Sequence, residues 1–212
     1  MTETSQTLDR GLRLLYVLAS GPARGCTVTE LAHALASSRP AVYRLVATLE
    51  RYGLVHRERD GRVRLGFGVL RVARAVQPML RDAATPVLRG LAEEVGATAH
   101  LTIAEGDEAL AVAVVEPSWT DVHVAYRVGS RHPLDRGAAG LAILKARGGG
   151  GQKRYVMTTG QLQAGARGVA AAVPGLSGIE ASVGVVALGD LDPGVAGPRV
   201  VKAASAIAAV LN

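Results

Sequence analysis

Residues 27–65 leave few folds open, because two short helix patterns meet there at a tight polar turn and run straight into an arginine-rich hairpin. Thr27-Val28-Thr29-Glu30 has the form of a capping box, in which the threonine hydroxyl accepts from one free N–H of the first turn and the glutamate reaches back to another. The box precedes Leu31, Ala32 and Leu35 and so fixes a helix start. The pattern stops at Ala36-Ser37-Ser38, and a second helix opens with Pro40 in its first turn, where a missing N–H costs nothing. Val42, Leu45, Val46 and Leu49 then follow at the i, i+3, i+4, i+7 spacing of one buried stripe. Arg44, Ala47 and Arg51 occupy the opposite face, with Tyr43 and Thr48 beside it. An arginine among small residues near the N-terminal end suits a helix entering a DNA major groove, where a bidentate contact to guanine is worth roughly 1–3 kcal/mol of discrimination. An ordinary solvated helix face would show the same pattern.

The hairpin separates those readings. Residues 54–59 and 62–65 flank Asp60-Gly61, a favoured pair for two-residue turns. In that register Arg59 stands opposite Arg62 and Arg57 opposite Arg64, so four arginines project from one face while His56, Glu58, Val63 and Leu65 line the other. Like charges across a ladder destabilise it, and a phosphate backbone removes the conflict. A shift of one residue would scatter the arginines. The expectation is an all-α/winged helix-turn-helix domain that binds double-stranded DNA, with a helix starting near Arg39 reading bases and Arg44 as the specific contact. The candidate DNA-binding residues are Thr29, Ser37, Ser38, Arg39, Ala41, Tyr43 and Arg44, joined by Arg57, Arg59, Arg62 and Arg64 of the wing. Ser37, Ser38 and the wing arginines are the expected phosphate clamps.

Charge divides the chain. Residues 1–80 carry 12 Lys+Arg against 6 Asp+Glu, and residues 81–212 carry 12 against 12, so the formal +6 resides entirely in the first part. One part is built to meet a polyanion and the other is not. The single cysteine, Cys26, lies in a glycine-rich loop where it is read as incidental, and it excludes an internal disulfide or a cysteine-based zinc cluster. No apolar run in the sequence approaches the ~18–20 residues that span a bilayer, and the polar, acidic N-terminus does not read as a signal peptide. A cytoplasmic protein with no membrane partner and no cofactor is expected.

Residues 7–20 read as an opening helix whose Leu8, Leu12, Leu15 and Ala19 pack on the next two helices. Residues 69–76 read as a helix ending before Pro78, apolar enough to pack on a partner subunit, although a plain domain-joining helix would look alike. Residues 80–96 form an amphipathic helix broken or kinked at Pro86. The period then changes to two. Residues 99–104 and 109–115 make a hairpin, 122–128 a third strand, 137–146 a short alanine-rich helix, and 154–157 resume the sheet. The near-continuous apolar runs 169–173 and 179–188 read as central strands, and 199–211 closes the chain as a helix. Helices on one side of a sheet argue an α+β sensor-like domain. The expected boundaries are 1–67 for the winged domain, 68–79 for the linker helix and 80–212 for the second domain.

Leu8-Asp9-Arg10-Gly11-Leu12, Glu30-Leu31-Ala32, Val42-Tyr43-Arg44-Leu45, Thr48-Leu49-Glu50, Gly53-Leu54-Val55 and Asp60-Gly61-Arg62-Val63-Arg64-Leu65-Gly66 together resemble the DNA-binding domain of the IclR family of bacterial transcriptional regulators. Val128-Gly129-Ser130-Arg131-His132-Pro133-Leu134 and Gly165-Ala166-Arg167-Gly168-Val169-Ala170-Ala171 resemble its effector-binding domain. The likeness covers nearly the whole chain and rests on the order and spacing of these segments. It implies a GAF-like α+β C-terminal domain that binds a small-molecule effector, commonly an acidic or aromatic metabolite. It also implies a homodimer or dimer of dimers on a palindromic operator. The effector pocket it implies is lined by Leu134, Arg136, Gly137, Ala138, Gln161, Gly168, Val169, Gly184 and Val186.

Several of these positions depart from the family's pattern. Gly168 stands where it often has a cysteine, Gly184 and Val186 where it often has two serines, and Gln161 where an acidic residue is common. Fewer hydroxyls argue for a hydrophobic or aromatic effector, or for a ligand-independent DNA-binding protein with a degenerate pocket. Arg136, where a small residue is usual, could pair with a ligand carboxylate or stand in solvent. The family's helical segment between Lys145 and Arg154 is shortened here to residues 146–153, whose four glycines lack the phosphate-loop form and read as a connection. Ser130, His132 and Asp135 lie close in sequence, but no nucleophile-elbow pattern surrounds the serine, and the five histidines have no metal-site spacing. The sequence points away from an enzyme.

Overall fold

A computed structural model describes residues 4–120, 124, 126–149 and 154–212. It forms two compact units, Met1–Val76 and Gln77–Asn212.

The first unit contains helices α1 (Gln6–Ala19), α2 (Val28–Ala34) and α3 (Arg39–Arg51), the hairpin strands β1 (Val55–Arg57) and β2 (Val63–Leu65), and helix α4 (Gly68–Arg74). The capping box of α2 is formed: Glu30 N–H donates to Thr27 Oγ1 at 3.2 Å and Thr27 N–H donates to Glu30 Oε2 at 2.6 Å. Those Thr27 hydrogen bonds hold the Glu30 carboxyl below its ordinary range. Ala36 turns the chain between α2 and α3 in the left-handed region, φ 47°, and Ser37 N–H closes the turn on Ala32 O at 2.9 Å. Leu14, Leu31, Val42, Val46, Val55 and Val63 form the centre of one core.

Three expectations for this unit are corrected. The inward face of α1 is Gly11, Leu14 and Leu18, whereas Leu8 and Leu12 are 62% and 49% exposed. The wing pairs Val55 with Leu65, His56 with Arg64 and Arg57 with Val63, one residue away from the register expected of a two-residue loop. Glu58 N–H donates to Arg62 O at 2.8 Å, and Gly61, φ 83°, completes a three-residue loop. The reason is burial: the observed register puts Val55 and Val63 inward together, at 2% and 0% exposure, while the other would have turned Val55 to the arginine face. The four arginines therefore do not share a face. Cys26 is also more than a loop residue. It pairs with Val63 as a short third strand, exchanging both N–H···O bonds at 3.0 and 2.8 Å, and burial pushes its thiol pKa up.

The linker expectation changes as well. α4 stops at Arg74, and a new helix, α5 (Val76–Val95), takes Pro78 into its first turn and runs through Pro86. Leu80, Ala84, Leu88 and Leu91 are buried on both sides of Pro86. At ~1.5–3 kcal/mol for each buried leucine, this packing outweighs the roughly 3 kcal/mol that an interior proline costs a helix.

The second unit continues with β3 (Thr98–Glu105), β4 (Glu108–Val115), β5 (Arg131–Pro133), α6 (Gly137–Arg147), β6 (Val156–Thr159), β7 (Ala166–Ala172), β8 (Ala181–Leu188) and α7 (Pro193–Leu211). The strands form one antiparallel sheet in the order β5-β4-β3-β8-β7-β6. Of the third strand expected over 122–128, residues 122, 123 and 125 lie outside the described set, and 124 and 126–128 are not in a strand. The residues expected at 150–153 likewise lie outside it. Helices cover both faces of the sheet rather than one: α5 and α7 bury Leu88, Leu91, Val200 and Ile207 against Leu101, Val169, Val183 and Val185, and α6 packs Ala138 and Ala142 on Ala170 opposite. α7 starts six residues before the expected 199, at Pro193, where Asp192 caps Gly194 N–H at 2.8 Å. Among the described residues α7 is long and apolar enough to cross a membrane, contrary to the sequence expectation. Its Ala196, Val200, Ala204 and Ile207 are instead packed in the core.

Candidate functional site

The exposed face of α3 is the first candidate surface. Val42, Leu45 and Val46 are buried, which turns Tyr43, Arg44, Ala47 and Arg51 outward. Arg39, Arg44 and Arg51 are exposed and enter no ion pair among the described residues. Ser38 caps the helix, accepting from Ala41 N–H at 3.4 Å; Ser37 and Ala41 are half-buried and Thr29 is exposed on α2.

The wing arginines divide by what they touch. The Arg57 guanidinium lies 5.3 Å from the centre of the Tyr43 ring and the Arg57 backbone N–H donates to Glu50 Oε1 at 3.2 Å, so this residue ties the wing to α3. Arg62 faces Glu30 and Asp60 at 3.5 Å each and donates to Gly25 O at 3.2 Å. It is a buttress between wing and α2. Arg64 faces Glu58 at 3.5 Å. Arg59, at the tip, is exposed and without an ion pair among the described residues, which makes it the wing cation most free to meet a phosphate.

The second candidate is a cavity of about 140 Å³ between the sheet and α6. Gly137, Ala138, Gln161, Gly168 and Val186 line it, together with His100, Tyr126, His132, Thr158 and Leu162. Gly137, φ 76°, starts α6; its N–H donates to Gln161 Oε1 at 2.9 Å, and a Cβ there would collide with Leu162. Four expected positions do not line the cavity. Leu134 is buried in a separate cluster with Ala109 and Ile143. Arg136 donates to Gln161 O at 2.9 Å from the surface. Val169 faces the opposite side of the sheet, in the α5–α7 core. Gly184 lies beneath the His100 ring, where any Cβ would touch Nε2 at 2.8 Å.

The polar wall of the cavity was not among the expected effector residues. His100 is 5% exposed, its Nδ1 lies 3.1 Å from Thr102 Oγ1, and its ring meets that of Tyr126 at 4.9 Å and 58°. Burial, reinforced by His132 nearby, holds the His100 pKa down to about 3, so the ring is neutral. His132 is 8% exposed; its Nδ1 lies 3.0 Å from Pro133 O and its Nε2 has no partner among the described residues. A signal existed in the alternation of β3, where Thr98, His100 and Thr102 interleave with Ala99, Leu101 and Ile103. Ser130 Oγ, for its part, accepts from Arg127 N–H at 3.2 Å, a hydrogen bond separate from that of His132.

Two family models match these units: the IclR helix-turn-helix domain over residues 7–59, and the bacterial transcriptional regulator IclR C-terminal domain over 73–173. The chain belongs to the IclR family. It is 30% identical over 146 residues to the HTH-type transcriptional regulator KipR of Bacillus subtilis, a match covering 68% of this chain and 57% of that protein. It is 33% identical over 142 residues to the regulator Rv1719 of Mycobacterium tuberculosis, covering 66% and 54%. The matches thus span little more than half the length of these relatives. In fold, it superposes on Thermotoga maritima IclR with a TM-score of 0.56 at 19% identity, covering 97% of this chain and 98% of the other. An IclR homolog from Microbacterium hydrocarbonoxydans complexed with 4-hydroxybenzoate gives 0.56 at 21%, covering 97% and 99%.

Proposed function

We propose that the chain is a DNA-binding transcriptional regulator whose operator affinity is set by a small organic molecule held between α6 and the sheet. The observation that carries this is the outward face of α3, where Arg39, Arg44 and Arg51 stand exposed and unpaired among the described residues on a helix whose other face is locked into the core. Arg44 reads a base, Ser37, Ser38 and Arg39 contact phosphate at the helix start, and Arg59 contacts phosphate from the wing tip. Residues 1–67 serve as the DNA-binding part, 68–79 as the linker and 80–212 as the sensor. The working unit is a homodimer or a dimer of dimers on a palindromic site, and the exposed Leu70 and Val72 of α4 supply apolar surface for a second copy. Footprinting with and without a panel of small aromatic and acidic metabolites tests this reading. It requires a protected palindrome whose occupancy changes with one chemical class, whereas protection indifferent to every ligand would favour the ligand-independent binder.

A further inference from the structure

Two buried polar atoms of residues lining the cavity, Tyr126 Oη and His132 Nε2, have no hydrogen-bond partner among the described residues, and the surroundings of the histidine fix which role it can play. Pro133 O can only accept, so its 3.0 Å contact with His132 Nδ1 puts a proton on that nitrogen, and a ring carrying that single proton keeps a bare lone pair on Nε2. Nε2 is buried and has no partner among the described residues. A buried acceptor in that condition forfeits a hydrogen bond it would make in water, unless a ligand restores it.

The rest of the lining restricts that ligand. The described lining residues include no Lys, Arg, Asp or Glu. The Gly137 N–H at the start of α6, where an anion would sit against a helix terminus, is already taken by Gln161 Oε1 at 2.9 Å. Arg136 is exposed, donates to Gln161 O at 2.9 Å and is not among the lining residues. A carboxylate placed here would be desolvated without a countercharge, which is costly. The neutral His100 supplies no positive charge either. Its ring and that of Tyr126 form an aromatic wall, and Ala138, Leu162 and Val186 form apolar ones. The volume of about 140 Å³ is close to the ~150 Å³ at which an apolar cavity holds one benzene ring.

We propose that the cavity takes a small uncharged aromatic molecule bearing a hydroxyl, of the size of phenol, whose O–H donates to His132 Nε2. This rests on the reading of the cavity as the effector site, and it narrows that reading to neutral hydroxyl donors over carboxylic acids.

The test uses the full chain with 15N-labelled histidine, at a pH about 1.5 units above the ordinary histidine value of about 6.5, titrated separately with phenol and with benzoate. Phenol is expected to bind and to move the His132 Nε2 resonance away from its free lone-pair position, while benzoate at the same concentration leaves it in place. His132→Phe, which keeps a flat ring and removes the acceptor, is expected to weaken phenol binding about tenfold. The spectrum of the unaltered protein decides the matter even if that variant does not fold. Benzoate binding as tightly as phenol, phenol binding with Nε2 unmoved, or no phenol binding at millimolar concentration overturns the proposal. Because no DNA is present, the two readings fail separately. A chain that shows the Nε2 shift yet ignores every operator loses the regulator function and keeps this site. A chain released from its operator by benzoate keeps the function and loses this ligand class.

Discussion

His100 on β3 and Gly184 on β8 are cross-strand partners, and the imidazole fits only because position 184 has no side chain. A Cβ at 184 would stand 2.7 Å from His100 Cε1 and 2.9 Å from Ala170 Cβ, with backbone fixed on either side by the ladder. Gly184→Ala is therefore expected to destabilise the second unit by about 1–3 kcal/mol, the usual cost of overpacking a dense interior. Urea unfolding followed by the fluorescence of Trp119, the only tryptophan in the chain, measures it. His100→Ala combined with Gly184→Ala should cost less than the sum of the single changes, since removing the ring relieves the clash.

The same imidazole makes stability depend on pH. Folded, His100 takes up no proton until about pH 3, because burial opposes its charge; unfolded, it protonates near the ordinary value of about 6.5. The unfolded state thus binds the extra proton between those limits, and stability is complete above pH ~6.5 and falls as the pH drops through the window. One proton corresponds to ~1.4 kcal/mol per pH unit, so lowering the pH from about 7 to 5 should cost roughly 2 kcal/mol. His100→Asn should flatten the unfolding free energy over that interval. An equal slope in the variant would remove His100 from the explanation.

What could be read in advance follows from which forces act locally. The capping box at Thr27 and the stripe of Val42, Leu45 and Val46 depend on residues within one or two turns, and both are present as expected. The wing register departs from the one expected because Asp60-Gly61 is a local turn signal, whereas the register is set by Val55 and Val63 entering a core built by three helices. α1 carries two apolar stripes, and nothing within the helix says that Leu14 and Leu18 go inward while Leu8 and Leu12 stay out. Five of the positions inferred for the cavity line it, since segment order carries them. His100 and His132 come together only through the β5-β4-β3 pairing, which no spacing in the sequence displays.

On DNA the arginines should separate into three behaviours. Arg44→Ala is expected to flatten the preference between operator and random duplex, removing roughly 1–3 kcal/mol of discrimination. Arg59→Ala should weaken both duplexes about equally and reduce the slope of log affinity against log salt by roughly 0.9. Fluorescence anisotropy over a salt series reads both quantities. Specificity retained in Arg44→Ala would move the base-reading role to another residue of α3.

Arg62 is expected to behave differently from Arg59 although both belong to the wing. Its guanidinium lies against Glu30 and Asp60 and donates to Gly25 O, so Arg62→Ala detaches β2 from α2. Thermal unfolding of the first unit should drop by several degrees, since partly exposed charged contacts contribute up to about 1 kcal/mol each. DNA affinity should then fall through a misplaced wing, with a salt slope close to that of the unaltered chain. A full-unit loss of slope with unchanged stability would instead make Arg62 a direct phosphate contact.

The outer stripe of α1 gives the last test. Leu8, Leu12 and Tyr16 recur at i, i+4, i+8 and are 62%, 49% and 73% exposed, so they form one continuous apolar row on the face that the core does not use. A solvated helix gains nothing from such a row, but a second copy packed along it would bury the leucines at ~1.5–3 kcal/mol each. Leu8→Glu with Leu12→Glu leaves Gly11, Leu14 and Leu18 in place and puts two like charges across any symmetric contact. If the proposed second copy seats on this row as well as on Leu70 and Val72 of α4, sedimentation of the double variant shifts from dimer toward monomer with a dissociation constant raised at least about a hundredfold, while its thermal unfolding as a monomer stays near that of the parent. A dimer of unchanged strength would place the subunit interface away from α1.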